Sequence, residues 1–203
     1  MKFQLRQLPR LIVVAIGVGI VTFFFAPPML MAKLLAPSDI PGYRMAHAWA
    51  WTIAKIVGVT ASIQGSHKMD PEVSYVITPN HQGNVDILGL VLTLPVKFRW
   101  VIKKELLRIP FFGWGLGSTG AISLDRGKGR ESVKQLQEGL SKLGNGWSLL
   151  IYPEGTRSPD QDLLPFKKGP FRLALDRKVP ILPVTVNGAF KLLPRKTLLP
   201  RRG

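Results

Sequence analysis

Asn80-His81-Gln82-Gly83-Asn84-Val85-Asp86 sets an imidazole and a carboxylate five residues apart. A neutral imidazole steadied by a carboxylate is the usual apparatus for taking a proton from a hydroxyl. The segment follows Val73 to Thr78 (VSYVIT), an apolar run that reads as a buried strand. Of the three histidines, His81 is the one placed at the mouth of the buried VSYVIT run with a carboxylate five residues on. In an ideal helix, side chains five positions apart diverge by about 140°. The pairing therefore requires the segment to leave helical geometry, which Gly83 and Asn84 permit.

Other charged groups stand where strands end. FRWVI, from Phe98, runs into Lys103-Lys104-Glu105; AISL, from Ala121, runs into Asp125-Arg126; SLLIY, from Ser148, runs into Pro153-Glu154-Gly155-Thr156-Arg157-Ser158. A single basic residue at a strand end is usually a solvated charge. Their succession is more telling, because two arginines and a lysine can grip a phosphate through charge-assisted hydrogen bonds. A covalent acyl-enzyme has no obvious nucleophile here. The chain has no cysteine, and no Gly-x-Ser-x-Gly elbow supplies a serine. The His81–Asp86 pair also lacks the further ligands of a zinc or iron site, so neither metal nor cofactor is expected.

The elements that must carry these groups alternate in type. Strand-type runs are VTASI (from Val59), VSYVIT, FRWVI, AISL, SLLIY and PILPVTV (from Pro180). Glu131 to Leu143 is the clearest amphipathic helix, with Val133, Leu136, Leu140 and Leu143 on one face; Asp86 to Leu94 and Gly169 to Lys178 are weaker helices. The alternation predicts an α/β fold, a mostly parallel central sheet covered by helices, with function at the strands' C-terminal ends. Gly115 to Gly120 spells Gly-x-Gly-x-x-Gly, but it follows a helix-type stretch and precedes a strand. That is the reverse of a dinucleotide site, and the glycines read as a closely packed turn.

Residues 1–58 differ in character from 59–203. Leu11 to Ala32 is a stretch of 22 uncharged residues, and Pro27 and Pro28 are expected to leave its unbroken helix nearer 16 residues, short for a clean span. A second apolar segment, Tyr43 to Val57, carries Trp49 and Trp51, with His47 among them as a packing or interface residue. The Pro/Gly connector APSDIPG separates the two. Together they predict a membrane-anchoring helical hairpin lying in one leaflet. A cleaved signal peptide shares the basic start and apolar core, but the second apolar segment and the lack of cysteine argue against export. Lys and Arg number 28 against 12 Asp and Glu, giving +16, while mean hydropathy stays positive at +0.15. That combination favours anionic membrane lipids over nucleic acid as a partner.

These segments resemble the motifs of the glycerolipid acyltransferase family, specifically its 1-acylglycerol-3-phosphate acyltransferases. NHQGNVD is similar to the first motif and KKELLRIPFFGW with GAISLDR to the second. YPEGTRS with PFKKGPF is similar to the third, and VPILPV to the fourth. The resemblance covers roughly Val59 to Asn187 and implies acyl transfer from acyl-CoA or acyl carrier protein to lysophosphatidic acid, giving phosphatidic acid. It implies His81 and Asp86 as the catalytic pair, with the substrate phosphate held by Glu154, Gly155, Thr156 and Arg157, assisted by Arg126 and Lys103. It also implies a place on the cytoplasmic face of a bacterial inner membrane. Lys167 and Lys168 either meet phosphates or form a solvated basic face. Two departures stand out. Gly83 replaces a common serine or threonine, which is expected to free the loop without inactivating it. The sequence also stops where relatives usually continue into a further strand, so either the sequence is shortened or this member closes its sheet without that strand. Two alternatives remain: an acyltransferase for another lyso-lipid (lyso-ornithine lipid or a headgrouped lysophospholipid), or a non-catalytic protein binding anionic lipid.

Overall fold

The apolar runs pair edge to edge as one parallel sheet. A computed structural model of the chain describes residues 8–36, 38–124, 135, 137, 139, 141, 144, 146–193 and 197. Strands β1 (Val76–Pro79), β2 (Lys97–Lys103), β3 (Ile122–Leu124), β4 (Trp147–Leu150) and β5 (Ile181–Val184) lie in the order β3-β2-β4-β1-β5, every pairing parallel. The helices are α1 (Leu8–Leu35), α2 (Ile40–Val57), α3 (Val85–Thr93), α4 (Phe112–Ser118), α5 (Gly169–Arg177) and α6 (Ala189–Leu192). The expected α/β architecture is therefore present. The Gly-x-Gly-x-x-Gly stretch forms the end of α4 and the turn before β3, as its context implied.

The central strands read as unbroken apolar runs because both faces are covered. Val76, Ile77, Leu149 and Leu150 have no exposed surface. Ile77 and Leu150 join the core shared with α2 and α3, whereas Val76 and Leu149 join a second core with Leu173 and Ala174 of α5.

The hairpin is locked onto this sheet. Asp39, in the connector, receives Lys33 from the end of α1 and Arg99 from β2, the latter at 2.9 Å, and Arg99 lies 4.4 Å above the Trp147 ring. Burial alone would raise the Asp39 carboxyl pKa; the hydrogen bonds from Lys33 and Arg99 outweigh it and hold the pKa below its ordinary value. Tyr43 of α2 packs edge-on against both Phe98 and Trp147.

Two expectations are corrected. α1 runs through Pro27 and Pro28 rather than stopping at them. The ring pair removes N–H groups directed at the Phe23 and Phe24 carbonyls. The helix persists because Ala26 and Met29 are buried on either side, Met29 against Gly115 of α4. Val59 to Ile63 forms no strand. It passes over α3 instead, with Ala61 against Gly89, and so finds no neighbour in the sheet. Of the helix expected over 131–143 only isolated residues are described, and Arg126 lies outside the described residues.

Candidate active site

Strand order is what assembles the site. β4 lies beside β1, with Ile77 opposite Leu150, so the loops leaving both strands emerge together. The β1 loop is pinned on its other side by Asn80. Its Nδ2 donates to the Val186 carbonyl (3.0 Å) and its Oδ1 accepts from the Val186 N–H (2.6 Å), tying the ends of β1 and β5.

Residues 80–84 stay out of helix and α3 begins at Val85, so His81 precedes the helix and Asp86 falls in its first turn. The two side chains meet, with Nδ1 of His81 2.8 Å from Oδ2 of Asp86. The same oxygen accepts the N–H of Gln82 (2.7 Å) and of Gly83 (3.0 Å). Asp86 is fully buried, and its charge is offset by these three donors and by the N-terminal end of α3. Because Nδ1 donates to the carboxylate, Nε2 carries the lone pair and is available as a base. The imidazole remains 15% exposed, enough for a substrate to reach it.

Glu154 was expected among the phosphate ligands; instead it is turned inward. Oε1 accepts the His81 N–H at 2.7 Å, Oε2 accepts the Leu164 N–H at 2.9 Å, and the Ser158 N–H donates to the His81 carbonyl at 2.8 Å. The third motif thus grips the backbone of the first. Arg157 reaches the same loop: Nη1 donates to Asn84 Oδ1 at 2.8 Å, three residues from His81. Gly155 adopts φ 74°, and Lys167 lies so close that a Cβ there would come within 2.8 Å of its ammonium. Thr156 is exposed on this turn. Lys103 stands exposed at the end of β2, 3.4 Å from Glu105.

Tyr152 is a site residue that the spacing of charges did not reveal. Its ring stacks on His81 at 3.8 Å and 17°, and lies near-parallel to Trp100 at 6.2 Å and 24°. Its hydroxyl and Asp86 Oδ1 are both buried without a hydrogen-bond partner. Burial, and next the Asp86 charge, push the phenol pKa well above its usual value, so Tyr152 remains neutral. The signal was present in the alternation of β4, since Tyr152 lies two residues beyond Leu150, on the same face. Gly83 is likewise more than a lost hydroxyl. Its φ is not left-handed, and a Cβ there would lie 2.7 Å from the Leu193 carbonyl. The glycine permits close approach of the turn after α6, not the loop freedom expected of it. Beside Asp86 a cavity of about 610 Å³ opens between α3 and β5, lined by Ala61, Ile63, Met69, Leu90, Val184 and Leu192 among others.

A parallel sheet with a carboxylate-oriented histidine ahead of a helix defines an enzyme-like α/β domain. The sequence model of the Acyltransferase family matches residues 61–187, and the chain belongs to that family. It is 30% identical over 197 residues to the 1-acyl-sn-glycerol-3-phosphate acyltransferase of Saccharomyces cerevisiae, covering 96% of this chain and 65% of the yeast protein. It is 32% identical over 136 residues to the alpha form from Homo sapiens, covering 66% of this chain and 48% of the human protein. The chain thus spans between about half and two thirds of these relatives' length. Its fold is similar to the crystal structure of the 1-acyl-sn-glycerophosphate acyltransferase PlsC from Thermotoga maritima, with a TM-score of 0.77 at 21% identity, covering 96% of this chain and 80% of that one.

Proposed function

We propose that this chain transfers an acyl group from a thioester to the free hydroxyl of 1-acylglycerol 3-phosphate, giving phosphatidic acid. The observation that carries the reading is the Asp86–His81 contact, which leaves Nε2 as the proton acceptor beside the Arg157 turn. His81 Nε2 takes the hydroxyl proton as the oxygen attacks the thioester carbonyl, and Asp86 stabilises the imidazolium that forms. The tetrahedral intermediate then collapses with cleavage of the carbon–sulfur bond. The imidazolium returns its proton to the departing thiolate, leaving ester, free thiol and neutral histidine. Arg157 and Lys167, together with Lys103 at the end of β2, supply the cations for a phosphate monoester, and the family resemblance adds Arg126. The names of the relatives support that acceptor. Acyl-CoA and acyl carrier protein, both anionic thioesters, suit a +16 surface equally as donor.

The hairpin holds this site at the bilayer. α1 is the one candidate span among the described residues, and 28 residues at ~1.5 Å each give about 42 Å, long enough to cross. However, from Val14 to Met29 it packs on α2 and α4, which lead directly into the polar sheet domain. A transverse α1 would pull that domain into hydrocarbon, so α1 lies along one leaflet, on the face where thioester donors are supplied.

The test is acyl transfer by purified protein in lipid, comparing lysophosphatidic acid, lysophosphatidylcholine and glycerol 3-phosphate. The first is expected to be turned over and His81→Ala to be inert. Equal turnover of the choline lipid would refute the phosphate reading, and an active His81→Ala would refute the base.

A further inference from the structure

The stretch from Ile109 into the first turn of α4 places apolar side chains in solvent that no catalytic role explains. Ile109 and Trp114 are 46% and 44% exposed. Between them Phe111 adopts φ 61°, ψ −57°, a backbone conformation that bulky residues avoid. The consequence of this strain is a continuous ladder of rings. Phe111 lies 4.9 Å from Phe23 of α1 and 4.8 Å from Trp114, and Phe23 lies 5.5 Å from Phe24. Phe23 and Phe24 belong to the outer face of α1, where Ile12, Ile16, Ile20, Met31 and Leu35 are also exposed at helical spacing. Arg108 and Lys104, both exposed, lie in the turn that leads into the ladder.

We propose that Ile109 to Trp114 is a third membrane-contact element, seated in the interface of a bilayer bearing anionic headgroups. The occupant is lipid because the patch continues the apolar outer face of α1, whose length of about 42 Å suits a bilayer surface. The flanking cations also match phosphate groups at the depth where a tryptophan prefers to sit. The element leaves the end of β2, so it ties the C-terminal edge of the sheet to the surface independently of the connector at Asp39. Contact through α1 and through this element together fixes which way the catalytic loop faces. The inference rests on α1 lying along the bilayer, and the experiment tests that separately.

The chain has no cysteine, so single cysteines label cleanly. Full-length Ile109→Cys and Trp114→Cys, each carrying an environment-sensitive fluorophore, are reconstituted in vesicles of phosphatidylcholine with phosphatidylglycerol. Phe24→Cys reports on α1, and Asp176→Cys reports on exposed α5, across the sheet. Probes at 109 and 114 are expected to be quenched severalfold more by nitroxide-bearing acyl chains than the probe at 176, which should respond to aqueous iodide. Omitting phosphatidylglycerol should weaken the difference. If the probe at 24 is in lipid while those at 109 and 114 report water, the third element is wrong and the hairpin stands. If the probe at 24 also reports water, both fail. Equal quenching at all four positions overturns the proposal as well.

Discussion

Replacing Asp86 with Asn separates the charge of the catalytic loop from its shape. Oδ2 alone accepts all three donors, from His81 Nδ1 at 2.8 Å, Gln82 N at 2.7 Å and Gly83 N at 3.0 Å, whereas Oδ1 has no partner. An amide oxygen can occupy the Oδ2 position and keep every bond, with its NH2 group where Oδ1 was. The opposite orientation would set that NH2 group against two backbone N–H groups, so the backbone dictates which way the amide points. The histidine tautomer therefore survives, and the loss is electrostatic. Hydrogen bonds to a charged group contribute about 1.5–3 kcal/mol and neutral ones about 0.5–1.5, so each of the three weakens by about 1 kcal/mol. The two backbone bonds act on the ground and transition states alike and appear as about 2 kcal/mol of stability. In the proposed mechanism the histidine bond matters more, because the ring becomes a cation during reaction; losing a buried charge partner costs about 3–5 kcal/mol. Weakened somewhat by the retained amide dipole, this predicts a fall in kcat/KM of about 10²–10³-fold. A substitution that also flipped the tautomer would cost about 10⁴-fold. Thiol release from the thioester, followed with a disulfide dye, measures this without background, since the chain has no cysteine. A thermal melt of the same sample controls for folding. Activity within a small factor of the parent, from a folded protein, would refute the role given to the Asp86 charge.

Other changes test the frame around that pair. Glu154→Gln turns an NH2 group toward one of two buried N–H donors, at a cost of about 1–3 kcal/mol; the thermal midpoint should fall by several degrees, and kcat should fall with it because the His81 backbone shifts. Tyr152→Phe should retain activity because the stack is kept, whereas Tyr152→Leu removes an aromatic contact of about 0.5–1.5 kcal/mol, and kcat should drop about 2- to 10-fold. Gly83→Ser drives a Cβ into the Leu193 carbonyl, and overpacking of this kind costs about 1–3 kcal/mol; an unchanged melt would show that the turn after α6 yields freely. Because the Asp39 pKa is lowered by folding, its contribution is complete above its unfolded pKa near 3.8 and is lost as pH falls through the folded value. Melts over an acid series should show a steeper loss in the parent than in Asp39→Asn.

The strands were legible because a doubly covered parallel strand has to be apolar throughout, and VSYVIT and SLLIY are. VTASI looks similar but is not a strand, since composition cannot show that a segment lacks a neighbour. Pro27 and Pro28 misled for a related reason: their local penalty is real, but the packing of Ala26 and Met29 that outweighs it is tertiary. At the site, the His81–Asp86 pair was readable from its spacing and from the strand-type run before it. The function of Glu154 was not, because it depends on β4 lying between β1 and β2, and strand order is absent from a linear pattern. A carboxylate beside Gly-Thr-Arg reads the same whether it faces a ligand or the backbone behind it.

That inward orientation has an electrostatic consequence for the whole mouth of the sheet. Asp86 and Glu154, two of the chain's twelve acidic residues, are both buried here, and each is compensated by N–H donors from the first-motif loop or the chain beside it. Neither needs a guanidinium or an ammonium to be stable. Arg157 donates to the neutral amide of Asn84, and the backbone of Lys167 is held on Pro153. The carboxylates thus build the loop from behind, while Arg157 and Lys167 stand at its surface. An anionic acceptor approaching His81 then meets positive charge first. Because the buried carboxylates are held by backbone groups, neutralising Arg157 should weaken acceptor binding, read as KM, far more than it disturbs the His81–Asp86 pair, read as kcat.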